Sequence, residues 1–376
     1  MNLRKLLAKI GVACLLGTLW AAPAHAEPER YGDYIVVLNQ DAGAFAHRFA
    51  SVSHVYSSAL DGFSVRLTEK QAAALARESG VDAVVRDTPV RAMGEQLNPP
   101  SWGLDRIDQR DPPLDHRYRY PNEAPGVHAY VLDTGVRATH VDFGGRVLPG
   151  YDFIGDDTDA GDGNGHGTFI AGIIGGAKYG VAKKIRIVPV KVLDDNGSGS
   201  MSDVIAGIDW VTANAVKPAV ANMSLGGSAN LALDTAVRNS IASGVSYAVA
   251  AGGSASNAGN YSPARVGEAL TIGASGPNDC ISSSTNTGSV VDMFAPGVNI
   301  VGPWITSNTS SAMLSGSSMA APHVAGAAGI YLQTNPTATA AQVQTALIAA
   351  STKDRLCNVP PGTPNRLLYV DPGPRR

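Results

Sequence analysis

Three short stretches carry side chains that could act together. In VLDTG (131–135) Asp133 follows an apolar run, and in NGHGT (164–168) His166 stands between two glycines. In GSSMAAPHVAG (316–326) Ser317 and Ser318 open an apolar run. A hydroxyl is a poor nucleophile until a base takes its proton, and a buried carboxylate must hold that base in one tautomer. The three residue types therefore point to acyl transfer. Singly, each has a plainer use: Asp133 as a turn cap, His166 as a surface histidine, a serine as a helix N-cap. Together, each at an element end beside glycines that permit close approach, they point to a site.

Such residues need a frame. The runs 127–132, 185–193, 219–225, 245–251 and 269–274 are short, apolar and rich in β-branched residues, as strands buried on both faces are. Helical patterns lie between them at 167–175, at 203–216 with Ser202 as N-cap, and at 230–243 before Gly244; another runs from the serines to about 332. This alternation predicts an α/β domain with a mainly parallel sheet, whose sites gather at the carboxyl ends of strands. Upstream, 33–92 reads as a separate unit. Its strands fall at 34–38, 63–67 and 81–85, with helices over 44–59 and from the capping box Thr68-Glu69-Lys70-Gln71 to near Gly80. That order suggests a ferredoxin-like module. The polar stretch 91–100, ending in two prolines, reads as a linker.

The 376 residues are long enough for two or three domains, and a net charge of −3 without a basic block gives nucleic acid no electrostatic footprint. Arg4, Lys5 and Lys9 precede the apolar stretch 10–22, and Ala24-His25-Ala26 has the form of a signal-peptidase site. Residues 1–26 read as a cleaved signal, and the product as secreted, extracellular or periplasmic, without a membrane anchor. Cys14 leaves with the signal. Cys280 and Cys357 remain as an even pair, which suggests one disulfide, two separate thiols being the alternative.

The three stretches are similar to the three signatures of the subtilisin-like serine proteases, in that family's order Asp, His, Ser. SWGLDRI (101–107), ANMSLGG (221–227), NYSPA (260–264) and PNRLLY (364–369) resemble its proteinase K and aqualysin branch. The resemblance implies a three-layer subtilisin-like α/β fold over 95–376, preceded by an inhibitory propeptide over 27–94 that assists folding and then occupies the active site. It implies Asp133 as orienting carboxylate, His166 as general base and acid, and Ser318, directly before the methionine, as nucleophile. Ser317 then takes a position usually held by threonine. Ser224, Leu225, Gly226, Ala250, Ala251 and Gly252 would wall the specificity pocket, and Gly197, Ser198, Gly199 and Ser200 would pair with an extended substrate. A pocket lined by small apolar residues implies a broad specificity with apolar or aromatic preference. The expected partners are polypeptide substrates and the chain's own propeptide, with a monomeric product and no catalytic cofactor.

Departures from the family pattern matter as well. Where it has Ala-Ala-Gly-Asn, with the asparagine donating to the oxyanion beside the Ser318 N–H, this chain has Ala250-Ala251-Gly252-Gly253. Loss of one oxyanion donor costs roughly 10²–10³-fold in turnover. Phe169 replaces a histidine, and Ser284 and Thr287 replace aromatics, which reads as repacking. Paired cysteines of the aqualysin type are replaced by Gly163, Asp195, Gly259 and Val290. Structural calcium is implied at Asp292 with the carbonyls of Gly267 and Ala269, and at Asp105, Asp108, Gln109 and Asp115, where Arg117 stands at a neutral ligand's place. The acidic loop 156–162 lacks the spacing of an EF-hand and reads as solvated. A competing expectation, motivated by Gly253 and by the altered residues Phe169, Ser284 and Thr287, is a pseudoprotease that binds peptides or a partner without cleaving them.

Overall fold

The computed structural model describes residues 31–88 and 94–373, which fall into two compact units. The expected signal, 1–26, and part of the expected linker lie outside the described residues.

The first unit runs β1 (Tyr31–Leu38), α1 (Ala42–Ala46), β2 (Val52–Tyr56), β3 (Asp61–Thr68), α2 (Glu69–Leu75) and β4 (Val81–Arg86). Its antiparallel sheet has the order β2-β3-β1-β4, the ferredoxin-like arrangement. The expected helix over 44–59 is a single turn followed by an edge strand, because Val52, Val55 and Tyr56 find partners in β3. Thr68 and Gln71 form the expected capping box, each side chain bonding the other's backbone N–H. Tyr34, Val36, Phe63, Val65 and Leu75 are buried in the unit's own core.

The second unit opens with β5 (Gly94–Leu97), α3 (Trp102–Ile107), β6 (Arg117–Tyr120), β7 (His128–Asp133), β8 (Tyr151–Asp152), α4 (His166–Gly175), β9 (Arg186–Lys191) and α5 (Met201–Asn214). It continues with β10 (Ala219–Met223), β11 (Gly227–Ser228), α6 (Leu231–Ala242), β12 (Val245–Ala250), β13 (Tyr261–Ser262), β14 (Leu270–Ser275) and β15 (Met293–Pro296). The hairpin β16 (Ile300–Pro303) and β17 (Ser311–Leu314), α7 (Ser317–Thr334), α8 (Ala340–Ala350), β18 (Thr352–Lys353) and β19 (Arg366–Leu367) complete it. Nine strands form one sheet in the order β18-β19-β15-β14-β12-β10-β7-β9-β8. All its neighbours are parallel except β18 and β19. β7, β10, β12 and β14 are buried along their whole length, as their predominantly apolar sequences suit. Separate apolar clusters cover the two faces, one built around α4 and α7, the other around α5 and α6.

β7 pairs with β9 on one side and with β10 on the other, so the chain reverses its direction of travel across the sheet at β7. In such sheets that switch point opens a crevice at the carboxyl ends of the strands. Asp133 is the last residue of β7. Two boundaries differ from expectation. α5 is capped by Ser200 in a capping box with Asp203 rather than by Ser202. Residues 94–97, expected in the linker, pair with β6 from Gly94↔Tyr120 to Leu97↔Arg117, and Gln96 Oε1 accepts from Lys183 Nζ at 2.7 Å.

Candidate active site

Asp133 is fully buried, and its Oδ1 accepts from His166 Nδ1 at 2.7 Å and from the Thr134 N–H at 2.8 Å. His166 is the first residue of α4. The preceding Gly165 has φ +111°, and a Cβ there would collide with the Trp304 ring, so glycine is required. Burial works against charging His166, but the charge of Asp133 and its hydrogen bond, helped by Asp162, outweigh it and raise its pKa above the ordinary histidine range. His323 is the contrast: fully buried, its Nδ1 on the Met319 carbonyl, it is lowered to about 4 by desolvation and stays neutral.

Ser317 and Ser318 open α7. The buried Ser317 hydroxyl accepts from the Gly252 N–H at 3.0 Å and so ties α7 to the end of β12. Ser318 is half-buried, and its Oγ donates to the Ser224 carbonyl at 3.2 Å. The geometry thus separates the two serines. One is a strut; the other is the freer hydroxyl at a helix start, where the backbone N–H groups have no intrahelical acceptor.

Asp162, expected at the end of a solvated acidic loop, is instead a half-buried site residue bonded within the protein. Its Oδ1 accepts from Thr134 Oγ1, Asn164 N and Gly165 N at 2.8–2.9 Å, and its Oδ2 from Thr168 N and Oγ1 at 2.8 and 2.6 Å. Thr134 Oγ1 in turn accepts from Gly167 N at 2.9 Å. This network anchors the turn that presents His166. An aspartate just ahead of a helix start is the signal that could have found it.

Beside His166 lies a cleft of about 480 Å³ whose walls include Gly197, Ser198, Gly199, Ser200, Ser224, Leu225 and Gly226. Asp194 braces one wall by accepting from the Asn196 and Ser198 N–H groups, both at 2.9 Å. Ala250 ends β12 and Ala251 and Gly252 follow it, next to β10, which leads into Ser224; none of the three is among the residues lining this cleft. Gly253 is exposed, and a Cβ there would meet nothing within 4 Å. Phe169 is buried, edge-on to Trp304. The positions lacking cysteines still meet in pairs: a Cβ at Gly163 would collide with the Asp195 carboxylate, and one at Gly259 would touch Val290 at 3.9 Å. Cys280 and Cys357 are joined in a disulfide.

Both oxygen clusters expected to hold calcium are met by N–H donors of the protein. Gln344 Nε2, from α8, donates to the Gly267 and Ala269 carbonyls at 3.0 and 3.2 Å and to Asp292 Oδ1 at 3.4 Å. Burial pushes Asp292 up to about 6. In the other cluster Asp105 accepts from the backbone N–H groups of Asp115 and His116. The Arg119 guanidinium bonds Asp115 Oδ2 at 2.8 Å and lies 3.5 Å from Asp108 Oδ2, while the Gln109 amide donates to Asp111 and Pro113 carbonyls. Arg117 pairs instead with Glu95. Calcium needs six to eight oxygens at 2.3–2.6 Å, so neither set fits the ion as it stands.

This constellation lies on a chain whose residues 125–367 match the subtilase family and whose residues 33–93 match the peptidase inhibitor I9 family. An extracellular serine proteinase from Thermus sp. (strain Rt41A) is 52% identical over 321 residues, covering 85% of this chain and 78% of that protein. The alkaline serine exoprotease A of Vibrio alginolyticus is 46% identical over 323 residues, covering 85% of this chain and 60% of its own length. A crystal structure of a cold-adapted subtilisin-like serine proteinase matches with a TM-score of 0.70 at 50% identity, over 72% of this chain and 97% of that one. The protein belongs to the subtilase family of serine proteinases. Subtilases need no cofactor for catalysis.

Proposed function

We propose that the protein is a secreted, self-processing serine endopeptidase in which Ser318 attacks the scissile carbonyl, His166 takes and returns the proton, and Asp133 orients His166 and balances its charge. The observation that carries this reading is the 2.7 Å bond from His166 to the fully buried Asp133, beside a cleft that also reaches Ser224. Rotation of Ser318 Oγ from the Ser224 carbonyl toward His166 would complete the set, as apo triads commonly tighten only with substrate. The Ser318 N–H would meet the tetrahedral oxyanion, and the open space beside Gly253 leaves room for water to assist. Small and apolar walls at Leu225 and Gly226 favour apolar or aromatic side chains. The 33–92 module acts as the chain's own inhibitor until it is cut off.

The pairing of β5 bears on where that cut falls. Residues 94–97 form a two-stranded ribbon with β6 in the second unit, and Gln96 is bonded to Lys183 and to the Lys178 carbonyl. Cleavage beyond Gln96 would strip this strand, so the mature N-terminus should lie before Gln96. The test is to express the precursor beside Ser318→Ala and sequence the N-termini. Wild type should self-process before Gln96 and react with a fluorophosphonate, and Ser318→Ala should do neither. A wild-type chain that folds but stays full length and unlabelled would sink the protease reading.

Stability should owe little to calcium while Gln344 and Arg119 hold the two clusters. Chelation should shift Tm by less than about 2 °C, an effect below ~1 kcal/mol for a unit of this size. Gln344→Ala should then make Tm rise with added calcium, since three oxygens lose their donor. Collapse of wild-type Tm on chelation would mean that calcium displaces these donors in solution.

A further inference from the structure

The nucleophile's helix carries a proline in its second turn. An α-helix would join the Ser318 carbonyl to the N–H of residue 322, and Pro322 has none. The carbonyl is left in need of a donor inside the protein. Ser224 Oγ supplies it at 2.8 Å, and Asn222 Nδ2 donates to that same Ser224 oxygen at 2.9 Å. Asn222 is 1% and Ser224 5% exposed. Asn222 lies within β10, which is paired on both sides, so this chain of bonds starts from an interior strand of the sheet.

Two struts therefore flank the reactive serine. The Gly252 N–H holds Ser317 Oγ on one side, and Ser224 Oγ holds the Ser318 carbonyl on the other. They reach α7 from the ends of β12 and β10. With glycine at position 253, the oxyanion depends on the Ser318 N–H, whose direction is set by the backbone between these two struts. We infer that Ser224 and Asn222 are positioning residues for the nucleophile: they replace the helical hydrogen bond that Pro322 removes and thereby aim the Ser318 hydroxyl and N–H. Ser224 acts here through its hydroxyl, beyond the part its backbone plays in walling the cleft.

The inference rests on Ser318 being the nucleophile, and the experiment separates the two ideas. Full-length wild type, Ser224→Ala, Pro322→Ala and the double variant are compared for rate of self-processing, then for kcat, KM and fluorophosphonate labelling after maturation, with Tm as a check on folding. Self-processing within one chain is first order, so it reads positioning without substrate affinity. Ser224→Ala should lower the processing rate and kcat by about 10- to 100-fold with KM within about twofold, the size expected for a misplaced reacting group. Pro322→Ala returns an N–H to the helix, so the double variant should recover most of the loss. A purely structural role for Ser224 would lower Tm without this split between kcat and KM. Should Ser224→Ala fail to fold, the double variant decides alone: a folded double variant with near wild-type kcat supports the inference, and an inactive or unfolded one overturns it. Wild-type rates for Ser224→Ala, or a double variant no faster than the single, would also overturn it while leaving the protease reading intact. Failure of wild type to label would overturn both.

Discussion

Asp133→Ala should lower turnover by about 10⁴-fold and move the acid limb of the activity profile to lower pH. The carboxylate is fully buried and spends Oδ1 on His166 Nδ1 and the Thr134 N–H. Without it the imidazole loses both its orientation and the negative charge that stabilises the imidazolium formed during attack; removal of the orienting carboxylate from such a triad costs about 10⁴-fold in kcat. The pH shift follows from the balance at His166. Burial lowers its pKa, and Asp133, by charge and by hydrogen bond, raises it past the ordinary value, with Asp162 adding to the rise. In the proposed mechanism the base must be neutral to take the Ser318 proton, so wild-type activity should fall as pH drops through a midpoint above the ordinary histidine range. Deleting Asp133 leaves burial to dominate, and the midpoint moves down. A kcat and kcat/KM series against pH on matured wild type and variant checks both parts, the kcat/KM limb reporting the free enzyme's His166. A loss under about tenfold, or an acid limb that does not move, would remove Asp133 from the mechanism.

The elements carrying this site were legible because each has a strong local signature. β7 is apolar from Ala129 to Leu132 just before Asp133, and α4 and α7 are each preceded by a glycine at the N-cap. The supporting bonds were not legible, because they join residues far apart in the chain. Ser224 reaches Ser318 across 94 positions, Asn286 reaches Ala251 across 35, and Gln344 reaches Asp292 across 52. Pro322 is visible in the sequence, but its consequence is not: only the fold shows which hydroxyl stands beside the orphaned carbonyl. The same limit explains the cation clusters. Asp105, Asp108, Asp115 and Asp292 lie together with their expected neighbours, yet spacing cannot show that Gln344 and Arg119 approach them. The stretch 44–59 misled for the opposite reason, since its apolar residues suit a helix until β3 offers β2 a partner.

Gly253→Asn should raise kcat by about 10²-fold with little change in KM, the reverse of the loss seen when one oxyanion donor is removed. The local backbone is ready for the change. A Cβ at Gly253 meets no atom within 4 Å, and its φ lies outside the left-handed region. The loop is also braced on either side of it: Asn286 Oδ1 accepts from Ser254 N at 2.9 Å and Ser256 N at 3.1 Å, and Asn286 Nδ2 donates to the Ala251 carbonyl at 3.0 Å. A new amide would therefore start from a fixed backbone, and it would act on charge that develops only in the transition state, which is why kcat should move and KM should not. Gly252 is the control position. Its φ is +102°, and a Cβ there would collide with the Asn286 amide, so Gly252→Asn should lower both Tm and activity. Steady-state kinetics on a peptide ester and a peptide amide check the prediction. A large gain means that the natural enzyme works with a weakened oxyanion site. Unchanged, substantial activity means that water or another N–H already fills the role. Absence of activity in both proteins, despite correct folding and peptide binding, would identify a binding module that keeps Asp133, His166 and Ser318 without using them.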